Sequence, residues 1–319
     1  MAMIDPADML RAGLLQLSES DLVRRTVVTA PISRGVVTRF VAGEGTEDAV
    51  RVTSVLRQTG RVATIDYLGE YTTDPAQADH TREAYLSLLR RLQEENLSQH
   101  GQAEVSLKLS AVGQSLERDG DAIALENARR ICVAAQDAHT TVTLDMEDHT
   151  TTDRTLATAL ALREDFPWVG VVLQSQLRRT EGDCRVFAGP DSRVRLCKGA
   201  YKEPQSVAYQ DGADVDLAFV RCLKILMAGE GYPMLATHDP RLVAIGQSLA
   251  DQHGRDPDTF EFQMLFGIRP EEQKRIADRG NQMRVYVPYG DEWYGYLMRR
   301  MAERPANTAF FLRALATKG

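Results

Sequence analysis

Two basic and aromatic clusters carry most of the chemical content of this chain. The first is Val194-Arg195-Leu196-Cys197-Lys198-Gly199-Ala200-Tyr201, a β-branched run ending in a glycine turn. Arg195 and Lys198 stand at one strand end, beside backbone that Gly199 is expected to leave uncovered, and two cations there call for an anionic ligand. Tyr201 suggests a ring or a small apolar body next to the anion. The second is Tyr294-Gly295-Tyr296-Leu297-Met298-Arg299-Arg300, far downstream. Two such distant clusters imply one site assembled from many segments.

The elements that must position these residues show a regular rhythm. Short β-branched runs end in a polar residue and are followed by longer amphipathic stretches. The runs are Val62–Tyr67, Val105–Leu109, Val142–Met146, Val169–Leu173, Val194–Cys197, Met234–Thr237, Phe260–Leu265 and Arg284–Val287. Helical patterns lie between most of them, over Pro75–Leu97, Asp121–Ala138, Asp153–Glu164, Asp214–Glu230, Pro240–His253 and Pro270–Arg279. Asp121, Asp153 and Asp214 read as N-terminal caps, and Pro240 and Pro270 suit a first helical turn. Eight strands alternating with helices argue for an α/β fold, a closed (β/α)8 TIM-type barrel. Residues 180–192 carry little helical pattern, so a distorted barrel is expected. A helix over residues 5–30 and another over Asn307–Ala316 would pack outside it. With no break in composition, we expect a single domain over 1–319, with an N-terminal helical arm over 1–35 and a catalytic barrel over 60–319.

Active sites of such barrels lie at the carboxyl ends of the strands. Those ends present Lys108, then Asp145 with Glu147 and Asp148, then Gln174, Arg195 with Lys198, Thr237 with His238, Gln263 and Tyr286. Each also has a plain structural reading. Lys108 in VSLKLS would face solvent, or face inward and require a charged partner. The acids of DMED would favour a helix N-terminus without any function. Arg299 and Arg300 would form a solvated helix face, and the tyrosines would be ordinary packing. No second acidic cluster appears at another strand end, so no metal is expected. No G-x-G-x-x-G follows a strand and no P-loop motif occurs.

Composition narrows the classes further. The net charge of −7 argues against a nucleic-acid partner and against a polybasic membrane anchor. Cys132, Cys184, Cys197 and Cys222 form no C-x-x-C pair and no disulfide framework, which fits a cytoplasmic protein. No apolar run is long enough to span a membrane, and Met1–Leu15 lacks the pattern of a secretory signal.

Taken together, VSLKLS, TLDMED, VVLQSQLRR, VRLCKGAY, ATHD, FEFQMLFG, RVYVPYG and YLMRRMAERPANTAF resemble the proline dehydrogenase family in order and content. The length is similar to that of its monofunctional bacterial members. The resemblance implies FAD bound at the carboxyl end of a distorted barrel and oxidation of L-proline to 1-pyrroline-5-carboxylate. By that likeness Arg195 lies beside the flavin's reactive nitrogen and Gln174 bonds the ring edge. Leu144 offers backbone to the flavin, Lys198 with Thr237 and His238 holds the ribityl and pyrophosphate portion, and Cys197, Gly199 and Ala200 are further cofactor-binding positions. Glu303 and Phe310 contact the adenosine end. Lys108, Arg299 and Arg300 surround the proline carboxylate, Tyr201, Leu265 and Tyr286 enclose its ring, and Asp145 orients the cations. Electrons leave to a membrane quinone, which implies transient peripheral contact at the inner face of the cell membrane. The chain departs from the family's fused members at Lys202, where they carry an aromatic, and Ser175-Gln176 replaces a more typical small-plus-aromatic pair after Gln174. The competing expectation is a class I aldolase-type barrel with Lys108 or Lys198 as Schiff-base lysine and Asp145 as proton carrier.

Overall fold

The computed structural model describes residues 37–297. Eight parallel strands close into a barrel in chain order: β1 Val62–Tyr67, β2 Ala103–Leu107, β3 Val142–Leu144, β4 Gly170–Gln174, β5 Arg193–Cys197, β6 Tyr232–Ala236, β7 Glu261–Leu265 and β8 Met283–Tyr289. β8 closes against β1, with Val62 opposite Arg284 and Tyr67 opposite Tyr289. The helices are α1 Thr46–Gln58 ahead of the barrel, then α2 Pro75–Glu94, α3 Gly120–Asp137, α4 Thr152–Arg163, α5 Thr180–Val186, α6 Gly212–Ala228, α7 Pro240–Gln252 and α8 Pro270–Asp278. The expected irregularity is present: β3 has three residues, and α5, in the segment with little helical pattern, has seven. The expected helices over 5–30 and 307–316 lie outside the described residues.

Helix starts follow local chemistry. Asp74, Asp211 and Asp239 cap α2, α6 and α7, each accepting from a backbone N–H two residues on. Asp121, Asp153 and Asp214 are therefore not the caps. They sit within the first turn of α3, α4 and α6, where a negative charge still suits the positive end of the helix dipole.

Strand side chains alternate strictly between two environments. The outward rows are apolar: Ile65, Val105, Leu107, Leu144, Val171, Leu196, Leu235, Phe262, Val285 and Val287 are buried against helix residues such as Leu88, Leu89, Ile131, Leu162 and Leu223. The inward rows of β1, β2, β5, β7 and β8 are rich in polar and charged residues, with the apolar Val172 of β4 and Met234 of β6 in the same phase, and buried charges are costly unless each is paired. A second apolar cluster joins Phe40, Val41, Leu68, Ile268, Trp293, Tyr294, Tyr296 and Leu297, with Leu265 packed against it. Gly267 makes it possible, since a Cβ there would stand 1.8 Å from the Arg39 carbonyl oxygen and its φ is +75°.

Candidate active site

Period-two alternation turns a set of polar residues toward one space: Thr64 and Asp66 on β1, Glu104 and Ser106 on β2, Thr143 on β3 with Asp145 after it, Arg193 and Arg195 on β5, Glu261 and Gln263 on β7, Arg284 and Tyr286 on β8. Lys108 continues the β2 row just past its last residue.

Arg195 is the hub. Its Nε donates to Gln263 Oε1 at 2.6 Å, and Nη1 donates to Ser106 Oγ and Asp145 Oδ1, each at 2.7 Å. Nη2 reaches Thr64 Oγ1 at 3.2 Å and Glu104 Oε1 at 3.3 Å. A guanidinium has five N–H groups, so every one is committed to the barrel wall. Asp145 receives a second anchor from Tyr286, whose hydroxyl donates to Oδ2 at 2.7 Å, and the Tyr286 ring lies beneath the Arg195 guanidinium carbon, 5.5 Å from centroid.

Beside this hub lies Asp66, which sequence reasoning missed. Lys108 Nζ donates to Asp66 Oδ2 at 2.7 Å, and both side chains are nearly excluded from solvent, at 11% and 1% exposure. Burial raises the Asp66 pKa to about 6 against the pull of Lys108. For Lys108, burial works against the charge, but the carboxylates of Asp66, Glu70 and Asp145 outweigh it and hold the ammonium more firmly protonated than usual. The Tyr85 hydroxyl donates to the Ser106 carbonyl at 2.6 Å and lies 3.3 Å from Asp66 Oδ1, so the pair is built into the wall.

Deeper in the barrel, Glu104 accepts from Arg193 at 2.9 Å as well as from Arg195, while Arg284 forks onto Glu261 at 2.7 and 3.0 Å. Among the described residues, the interior thus sets four cations (Lys108, Arg193, Arg195, Arg284) against four carboxylates (Asp66, Glu104, Asp145, Glu261).

The loops above the strands fill in the rim. Gln174 donates from Nε2 to the carbonyls of Met146 and Glu147 at 3.2 and 3.1 Å, and its buried Oε1 has no partner. Lys198 Nζ pairs with Asp216 at 2.5 Å and Asp239 at 3.5 Å, at the start of α7. Contrary to the expectation, Gly199 does not leave this backbone open, because the Gln176 side chain packs against it and a Cβ there would lie 2.3 Å from that side chain. Its φ of +106° explains the glycine. His238 Nε2 accepts from the Leu265 N–H at 3.0 Å, so a neutral ring carries its proton on Nδ1, and Thr237 Oγ1 accepts from the Asp239 N–H at 3.1 Å. Cys197, Ala200 and Tyr201 sit on the same rim, half-buried or exposed, and His149 pairs with the buried Glu203 to join the loops after β3 and β5. Arg299, Arg300, Glu303 and Phe310 lie outside the described residues. A groove of about 570 Å3 lies at the opposite end of the barrel, against Arg193, Tyr232 and Arg255. The site is therefore located by its inward side chains and not by hollow volume.

Glu147 provides a test of this geometry. It accepts from Ser110 Oγ at 2.5 Å and from the Ser110 N–H at 3.3 Å, yet burial raises its pKa to about 7. A raised carboxylate pKa contributes stability that is complete below the unfolded value near 4.5 and is lost as pH rises through 7. Glu147→Gln removes that loss. At pH 8 the variant should be more stable than wild type by roughly 1–3 kcal/mol, and the two should converge near pH 5. Denaturant midpoints at both pH values check this; parallel pH profiles would contradict the burial of a titrating Glu147.

A closed parallel barrel whose strand ends converge on a buried arginine–carboxylate–phenol cluster defines an enzyme of the TIM-barrel class. The sequence profile of the family described as proline dehydrogenase matches residues 49–313. The chain is 40% identical over 280 residues to Proline dehydrogenase 1 of Bacillus subtilis, covering 88% of this chain and 90% of that protein. It is 39% identical to the Proline dehydrogenase of Deinococcus radiodurans, over 87% of this chain and 89% of that one. Its fold is similar, with a TM-score of 0.78 and 25% identity, to the crystal structure of proline utilization A from Bdellovibrio bacteriovorus inactivated by N-propargylglycine. That match covers 90% of this chain, which spans about a third (34%) of the larger protein. The chain belongs to the proline dehydrogenase family.

Proposed function

We propose that this protein oxidises L-proline to 1-pyrroline-5-carboxylate with bound FAD and passes the electrons to a membrane quinone. The observation that carries the reading is the fully anchored Arg195, paired with Asp145 toward the carboxyl ends of the strands and with Glu104 below it, in a chain of this family. The aldolase-type alternative fits poorly. Both candidate lysines stand in ion pairs, and Lys108 is held more firmly protonated, whereas a Schiff-base lysine needs a depressed pKa.

The donor set suits a flavin. Gln174 Oε1 is a buried acceptor lacking a donor, and a flavin ring edge offers an N–H for it. The rim of Cys197, Lys198, Gly199, Ala200, Thr237 and His238, with backbone at Leu144, would hold the ribityl and pyrophosphate portion. Glu303 and Phe310 are assigned to the adenosine end by sequence alone. Bound FAD would supply the hydride acceptor. The chain's own residues would bind and orient. Lys108 gives one of its three donors to Asp66 and keeps two for the proline carboxylate, joined by Arg299 and Arg300. Tyr201, Leu265 and Tyr286 would wall the pyrrolidine ring. Asp145 fixes the Tyr286 hydroxyl and the Arg195 fork together. Because every Arg195 N–H is already engaged, its contribution at the flavin is its positive field, which favours charge that develops on reduction.

The reading includes one catalytic domain over 1–319, a cytoplasmic location and brief contact with the membrane during quinone reduction. Among the described residues, no helix is long and apolar enough to cross a membrane. The first test is chemical. The purified protein should be yellow, and acid precipitation should release FAD into the supernatant. A colourless protein that takes up no FAD on incubation would overturn the cofactor assignment.

A further inference from the structure

The mechanism above uses Arg195, Asp145, Tyr286, Lys108 and Asp66, but not the charged layer beneath them. That layer is organised around Glu104. The carboxylate is fully buried and meets three arginines: Arg193 at 2.9 Å, Arg195 at 3.3 Å and Arg284 at 3.7 Å. Thr141 and Thr143 donate to its two oxygens at 2.6 and 3.3 Å. Burial disfavours its charge, but Arg284, Arg193 and Arg195 outweigh burial and hold the carboxyl well below the usual range, so it is an anion.

The two oxygens are divided. Oε1 faces Arg195, next to the reacting end of the barrel, whereas Oε2 faces Arg193, which lies two residues deeper on β5, against Tyr232 and the opposite opening. Arg284 is balanced separately by its bidentate fork onto Glu261. Glu104 therefore couples the charge on Arg193 to the charge on Arg195. In a dry interior such couplings are screened far less than at a surface.

We propose that Glu104 is a positioning residue of the redox site: it braces the Arg195 guanidinium from below and, by offsetting part of its charge, sets the reduction potential of the flavin, with Arg193 opposing it in turn. The proposal rests on the FAD reading above. Arg195 favours the reduced cofactor through its field; Glu104 weakens that field, and Arg193 weakens the effect of Glu104. Mere structural damage would move the potential in one direction whichever partner was lost. The charge relay requires opposite directions.

The experiment measures the flavin potential by equilibration with a reference dye under anaerobic reduction, in wild type, Glu104→Gln and Arg193→Gln. Glu104→Gln should raise the potential and Arg193→Gln should lower it, each changing the reduced-to-oxidised ratio at fixed potential by about tenfold, about 30 mV for a two-electron couple. If Glu104→Gln fails to fold, the double variant Glu104→Gln, Arg193→Gln, which removes one charge of each sign, takes its place: its potential should lie above that of Arg193→Gln alone, and a value equal to or below it would overturn the proposal. Shifts of the same sign, or potentials unchanged in a yellow and reducible Arg193→Gln protein, would overturn the proposal while leaving the FAD reading intact. A wild-type protein that binds no flavin would overturn both.

Discussion

Replacing Arg195 with methionine should lower kcat/KM for L-proline by roughly 100- to 1000-fold, the scale seen when one preorganised charge-stabilising group is lost. Methionine fills much of the same volume but provides neither charge nor donor. The positive field at the cofactor disappears, and Asp145 loses one of its anchors, so Tyr286 loses its fixed partner as well. Stability should fall too, by about 3 kcal/mol, because removing one member of a buried ion network leaves the others uncompensated. Glu104 keeps Arg193 and Arg284 and limits the damage. Steady-state kinetics together with a denaturation midpoint read both effects. A variant with wild-type kcat/KM would place Arg195 outside the reaction.

Lys108→Met should separate stability from turnover. Asp66 would be left with 1% exposure and no cation. Its pKa is already raised to about 6, so its contribution to stability is complete below 3.8 and is lost as pH rises through 6. Without Lys108 the pKa rises further, and the loss extends to higher pH. The variant should be about 3–5 kcal/mol less stable than wild type at pH 8, with the gap narrowing toward pH 5 as Asp66 takes up a proton. The double variant Lys108→Met, Asp66→Asn removes both charges and should recover most of that stability. It should not recover activity, because the carboxylate of proline has still lost its cation; kcat/KM should stay roughly 30- to 1000-fold down. Recovery of both together would make the pair purely structural. Unchanged stability in the single variant would mean that Lys108 is not paired inside the barrel.

Much of this architecture is legible in the sequence because the outward strand rows are apolar and β-branched, and the runs containing them fall within a few residues of the observed strands. α1 escapes that reading for a physical reason. Its Val50, Val52, Thr53 and Val55 resemble a strand, and only the helical spacing of the buried Ala49, Val52, Thr53 and Leu56 reveals it. α5 is hard to see because seven residues carry too few periodic positions, with Thr180 and Cys184 its buried ones.

Site residues at strand ends are visible because a polar residue interrupts an apolar run. The deeper partners are not found by that rule. Asp66, Glu104, Arg193, Glu261 and Arg284 lie within strands, where a charge is read as solvent-facing. The available signal is their phase: Glu104-x-Ser106-x-Lys108, Arg193-x-Arg195, Glu261-x-Gln263 and Arg284-x-Tyr286 each keep a strict period of two with the strand-end residue. In a closed barrel that phase points inward. What no phase reveals is the pairing, since Glu104 and Arg195 become neighbours only through the closure of the barrel across its interior.

Anaerobic addition of L-proline to the purified protein tests the central claim most directly. The visible absorption of the bound flavin should bleach in proportion to added proline until about one equivalent per flavin has been consumed, and 1-pyrroline-5-carboxylate should accumulate in the same amount. A protein whose flavin is reduced by dithionite but whose spectrum does not change with L-proline would contradict the account.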